Sequence, residues 1–281
     1  MRGRTIGGDP RRTGPERHRP DPAHEKEVRE QEPRAAERER PLTFRERSER
    51  ALADVGIYCL VPFGELADAH FGGRHRAARR AVNTWIREGL AREFAGKDAG
   101  GTPYALFTST AKGASVLRDL AEGQGIDPGQ RFTYTLRFRR EQLAHDAAVY
   151  RAARRERERL ARGGARVRRV RLERELSGAV YGRSEPARHR LGRRAAEAER
   201  HRAATELGLP VDPEGRVLFP DVQIEYVDAA GRSGRVNVEI ASDHYAVQHL
   251  GPRVAAGFRV HASGVRAERM LASLRSGGTE I

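Results

Sequence analysis

The chain has 281 residues, 53 Lys and Arg against 39 Asp and Glu, and a formal net charge of +14, which points to a polyanionic partner, with nucleic acid leading. No apolar run approaches the ~20 residues of a membrane span, and the N-terminus has no apolar secretion core. The single cysteine, Cys59, allows neither an internal disulfide nor a zinc cluster, so a cytoplasmic protein is expected.

Residues 1 to 42 are Arg, Glu, Pro and Gly with almost no large apolar side chain, a composition that reads as a disordered arm of mixed charge. From 43 to 122 the signals change. Thr43 can cap a helix to about Val55, Glu65 begins a second after Pro62-Phe63-Gly64, and Arg74 begins a third after Gly72-Gly73. The third helix has an inner stripe of Ala78, Val82, Trp85 and Ile86 and a basic outward end. Residues 90 to 94 and 104 to 107 then read as two strands around a glycine-rich tip. Three helices followed by such a hairpin make a winged helix-turn-helix. In that fold the third helix enters the major groove and the wing follows phosphates, so Arg74, Arg76, Arg79, Arg80 and Lys97 are the candidate contacts to double-stranded DNA. The competing reading is a basic solvated face on a protein-contact module.

Residues 123 to 140 read as a linker with a short strand over Phe132 to Phe138, and 141 to 281 as a second domain. Its expected elements are a helix from Glu141 to Ala161, a strand from Ala165 to Leu172, a turn or short helix at Glu173 to Ser177, and a helix from Ala195 to Leu207. The stretch from Gly178 to Ala196 is too arginine-rich for a core element. Two strands follow, then a helix near Ala246 to Ala255, a strand at Phe258 to Ala262 and a helix from Arg266 to Leu274.

Strand parity singles out two acids. Val222, Ile224 and Tyr226 share one face, which leaves Asp221, Gln223 and Glu225 on the other; Val236, Val238 and Ile240 likewise oppose Asn237, Glu239 and Ala241. The short connector favours an antiparallel hairpin that brings Asp221 and Glu239 within reach of one hard cation such as Mg²⁺. Each acid also has an ordinary explanation, as a strand start or an arginine partner. For His145-Asp146 the expected account is helix-dipole chemistry, and for Tyr245 and Phe258 it is packing.

The order helix, strand, strand, strand, helix, strand resembles the αβββαβ core of the PD-(D/E)XK, or restriction-endonuclease-like, superfamily. With the winged helix ahead of it, the chain resembles the replication-relaxation family of plasmid and conjugative-element proteins. The resemblance rests on Leu143-Ala144-His145-Asp146-Ala147-Ala148-Val149, Phe219-Pro220-Asp221, Val238-Glu239-Ile240-Ala241, and Asp243-His244-Tyr245 leading to Ala256-Gly257-Phe258. It implies an α/β fold in two domains and a DNA-binding protein acting in replication, relaxation or transfer. It also implies Mg²⁺ held by Asp221 and Glu239, with a lysine two residues after the glutamate. That position is Ala241, and no lysine follows Lys112. Arg253 and His244 are the nearest substitutes, although arginine cannot accept a proton. An inactive nuclease-like domain, an active Mg²⁺-dependent endonuclease and a transcriptional regulator remain open, as does homodimerisation.

Overall fold

Thr43 closes the first helix, α1 (Phe44–Ile57), with a reciprocal cap. Its hydroxyl accepts from the Glu46 amide at 3.2 Å and its own amide donates to the Glu46 carboxylate at 2.7 Å. The computed structural model describes residues 41–97, 101, 103–124, 127, 129–134, 140–243 and 245–275. The expected arm therefore lies outside the described residues, apart from 41 and 42. The described residues from Thr43 onward form one compact unit.

After α1 come β1 (Val61–Pro62), α2 (Phe63–Phe71) and α3 (His75–Arg87). Gly72 and Gly73 both have positive φ, 60° and 73°, which lets the chain reverse between α2 and α3 at no Cβ cost. Strands β2 (Ala91–Lys97) and β3 (Pro103–Ser109) pair antiparallel over their whole length, so both extend further toward the tip than the sequence suggests. Val61 pairs with Phe107, giving a sheet of order β1-β3-β2. Ala78, Val82 and Trp85 are buried as expected, but Ile86 is 38% exposed. The core-facing arc of α3 takes in Ala81 and centres between Trp85 and Ala78, which at 100° per residue leaves Ile86 about 90° away, on its rim.

Helices α4 (Ala111–Gln124) and α5 (Arg140–Arg162) follow, then β4 (Arg166–Leu172). Phe132 to Tyr134 are not a strand, and 135 to 139 lie outside the described residues. The alternation there comes from anchoring: Phe132 is buried, and the Thr133 amide donates to the Gly56 carbonyl at 2.6 Å.

The largest correction is at 178 to 194: the turn or short helix expected at Glu173 runs on through the arginine-rich stretch as α6 (Glu173–Leu191), packed on α7 (Arg193–Leu207), the helix expected from Ala195 to Leu207. Their buried seam is narrow, Leu176, Val180 and Ser184 against Ala196, Ala203 and Ala204, so the arginines point outward and mask the helical signal. Then come β5 (Val222–Val227), β6 (Ser233–Ser242), α8 (Val247–Ala255), β7 (Arg259–Ser263) and α9 (Val265–Arg275). The second sheet has the order β4-β5-β6-β7, antiparallel except for the parallel β6–β7 pair that α8 connects.

Helix α5 holds the unit together. Ala148, Val149, Ala152 and Ala153 pack in one core with Val170, Val222, Ile224, Val236, Val238 and Ile240 of the second sheet, and that core runs on into α1, α2 and α3. On another side, Leu143 and Ala147 meet Leu60 and Leu106 of the first sheet region. Among the described residues the fold is thus mixed α/β with two sheets.

Candidate functional site

Register places three acids in one row. Leu172 pairs with Val222 and Val222 with Val238. One step outward, Glu173, Asp221 and Glu239 are therefore level across β4, β5 and β6. The Glu173 amide donates to the Asp221 carbonyl at 3.0 Å, and the Ile240 amide donates to Asp221 Oδ2 at 2.7 Å. Asp221 Oδ1 meets His145 Nε2 of α5 at 3.1 Å.

Glu239 is 4% exposed. Its Oε1 accepts from the Tyr245 hydroxyl and lies 2.9 Å from Arg253 Nε, close enough for an ion pair but not aligned as a hydrogen bond. Its Oε2 is buried without a hydrogen-bond partner. Burial, then the charge of Asp221, pushes the Glu239 carboxyl up to about 7, against the opposing pull of Tyr245 and Arg253. His145 is raised, first by its hydrogen bond to Asp221. Asp146 and Glu173 are both raised, chiefly by burial.

These donors have the hard oxygen chemistry that a divalent cation takes. Among the described residues, however, no three His, Cys, Asp or Glu side chains stand ready to hold a metal ion. Each Asp221 oxygen already takes one hydrogen bond, whereas Glu239 Oε2 takes none. Ala241 is fully buried in an apolar cluster with Leu218, Leu250, Phe258 and Val260, which leaves no open space where the lysine would stand.

Of the four residues expected here, Asp221, Glu239 and Arg253 come together, and His244 lies outside the described residues. Three participants escaped the sequence reading. His145 faces Asp221 in addition to lying near the start of its helix, Tyr245 bonds Glu239 in addition to packing, and Glu173 reaches the row only through the β4–β5 pairing. No local signal marks Glu173, because its neighbour is decided by strand order.

The basic surface of α3 is more selective than its composition. Arg76 and Arg80, one turn apart, are exposed, and the Arg80 guanidinium lies 4.2 Å from the centroid of the Phe44 ring. Arg79, also at the surface, is instead held 3.1 Å from Glu93 and 4.2 Å from the Phe63 centroid. Arg74 donates from Nε to the Phe71 carbonyl at 2.9 Å, and Lys97 is exposed at the end of β2. No helix among the described residues is long and apolar enough to cross a membrane. No family model, curated protein or solved structure matches the chain.

Proposed function

We propose that this chain is a double-stranded DNA-binding protein of a plasmid or integrative element, acting in its replication, relaxation or transfer, with a nuclease-like acid site that does not cleave. The observation that carries the reading is the chain order α1, α2, α3 and then the β2–β3 hairpin, with Arg76 and Arg80 outward on α3 and Lys97 on the hairpin. In a winged helix-turn-helix these positions meet base edges and phosphates. The β4-β5-β6-β7 order with its single parallel pair supports the nuclease-like assignment. The mobile-element setting comes from the family resemblance alone. Loss of cleavage is supported by Ala241, packed where a cation is needed, and by the engaged oxygens of Asp221.

A second reading, a Mg²⁺-dependent endonuclease, is favoured by the buried and unpartnered Glu239 Oε2. A divalent cation held by Glu239 and Asp221 would supply an activated water and offset phosphate charge. Arg253 would add positive charge beside Glu239.

One experiment separates the readings. The purified chain is titrated with duplex DNA in EDTA and incubated with supercoiled plasmid in Mg²⁺ or Mn²⁺. Duplex binding without nicking is expected. Failure to bind duplex removes the first reading, and nicking that is lost in Asp221→Asn and Glu239→Gln replaces it with the second.

A further inference from the structure

Helices α6 and α7 form the chain connection between the paired strands β4 and β5, and their seam buries few side chains. Toward their connection, where Gly192 at φ 86° reverses the chain, a groove of about 340 Å³ opens between them. Arg188, Arg193 and Arg200 line it together, over Ala196, with Tyr181 and Glu185 at its walls. Glu185 is the one acid there, 3.8 Å from Arg188, and Arg193 and Arg200 have no ion-pair partner among the described residues. Tyr181 is 45% exposed and held by the Phe219 ring at 5.7 Å between centroids.

Three arginines and a single acid give the groove lining a net positive charge, and the planar fork of arginine matches phosphate oxygens. A groove on the surface of a helical hairpin suits an extended polyanion better than an enclosed metabolite. We propose that this groove binds the phosphate backbone of duplex DNA, as a second contact on elements separate from α3 and the β2–β3 hairpin. The proposal rests on the DNA-binding reading above. Contact here is sequence-independent, because phosphates carry no base information.

The test uses the full chain with Arg188→Ala and Arg193→Ala combined, both at exposed positions. Binding to several unrelated short duplexes is measured across a salt series. The expected result is a roughly tenfold loss at low salt, equal for every sequence, and a salt slope smaller by about two, since each phosphate contact contributes about 0.9. The double lysine variant, Arg188→Lys with Arg193→Lys, should keep the slope. So should Arg183→Ala, whose arginine pairs with Glu206 on the same hairpin. Wild-type binding with an unchanged slope in the double alanine variant overturns the groove and leaves α3 as the DNA contact; this is also the result if the groove serves an acidic protein. Wild type that binds no duplex overturns both proposals together.

Discussion

His145 Nε2 lies 3.1 Å from Asp221 Oδ1, so the imidazole competes for the carboxylate that a cation shared with Glu239 would use. The contact ties α5 to the start of β5 and links the fate of the acid site to one histidine. It also makes the metal response of the site an outcome that can be manipulated.

In His145→Ala, Asp221 Oδ1 is released while the Ile240 amide still holds Oδ2. Mg²⁺ or Mn²⁺ should then raise the melting temperature of the variant but not of the wild type. A ligand at ten times its dissociation constant stabilises by about 1.4 kcal/mol, a shift of a few degrees for a chain of this size. Equal metal responses in the two proteins would sink the idea that His145 blocks the site.

The pH dependence of stability follows from two raised groups. Glu239 reaches about 7 in the fold and His145 is also raised, so the native state holds protons more tightly than the unfolded chain at both. Their contribution is fully present below the unfolded values and is lost as pH rises through the folded ones, which for Glu239 means between its ordinary 4.5 and about 7. Glu239→Gln should flatten the fall in melting temperature over that window. A variant whose profile parallels wild type would show that Glu239 is not the group that titrates.

Asp54 predicts the opposite sign at acid pH. It is 4% exposed and meets Arg157 at 2.8 Å, His70 at 2.8 Å and the Tyr150 hydroxyl at 3.1 Å, joining α1, α2 and α5. Its carboxyl is held well below the usual range because these partners, Arg157 foremost, outweigh a burial cost that alone would raise it. Its stabilisation is present above the ordinary value of 3.8 and fades as pH falls toward the folded value. Asp54→Ala should cost about 2–4 kcal/mol in urea unfolding. The lower end applies because Arg157 keeps 36% of its side chain in water. A loss under about 1 kcal/mol would contradict this account.

Restoring a lysine by Ala241→Lys should not create activity. Ala241 is fully buried among Leu218, Leu250, Phe258 and Val260, so a lysine there is overpacked and desolvated, at a cost of about 3 kcal/mol or more. A lower melting temperature with no gain in plasmid nicking is the expected result. Metal-dependent nicking in a stable variant would show that the lysine reaches the acid row after all.

On the DNA surface, Arg76→Ala should weaken binding by roughly 1–3 kcal/mol in a sequence-dependent way. Lys97→Ala should weaken all duplexes alike and lower the salt slope by about 0.9. Arg79→Ala should act mainly through stability, because Arg79 is held by Glu93 and Phe63. Titrations across a set of related duplexes, read beside melting curves, distinguish these patterns.

Sequence by itself determined the elements whose signals are local. Thr43 with Glu46, the Gly72-Gly73 break, the Ala78, Val82 and Trp85 stripe and the parity of β5 and β6 each declare an element within a few residues, because caps, turns and side-chain alternation act over that range. The same parity placed Asp221 and Glu239 on one face. Helix α6 was hidden by its arginines, since a seam as narrow as Leu176, Val180 and Ser184 suffices once a partner helix covers it. Only the tertiary structure decided which groups meet the acids. Glu173 joins Asp221 through strand pairing, His145 through the packing of α5 on the sheet, and Tyr245 through the return of the chain after β6, which also delivers the expected Arg253. Those contacts depend on sheet order and helix placement, which are set by burying one shared core rather than by any neighbouring residues in the chain.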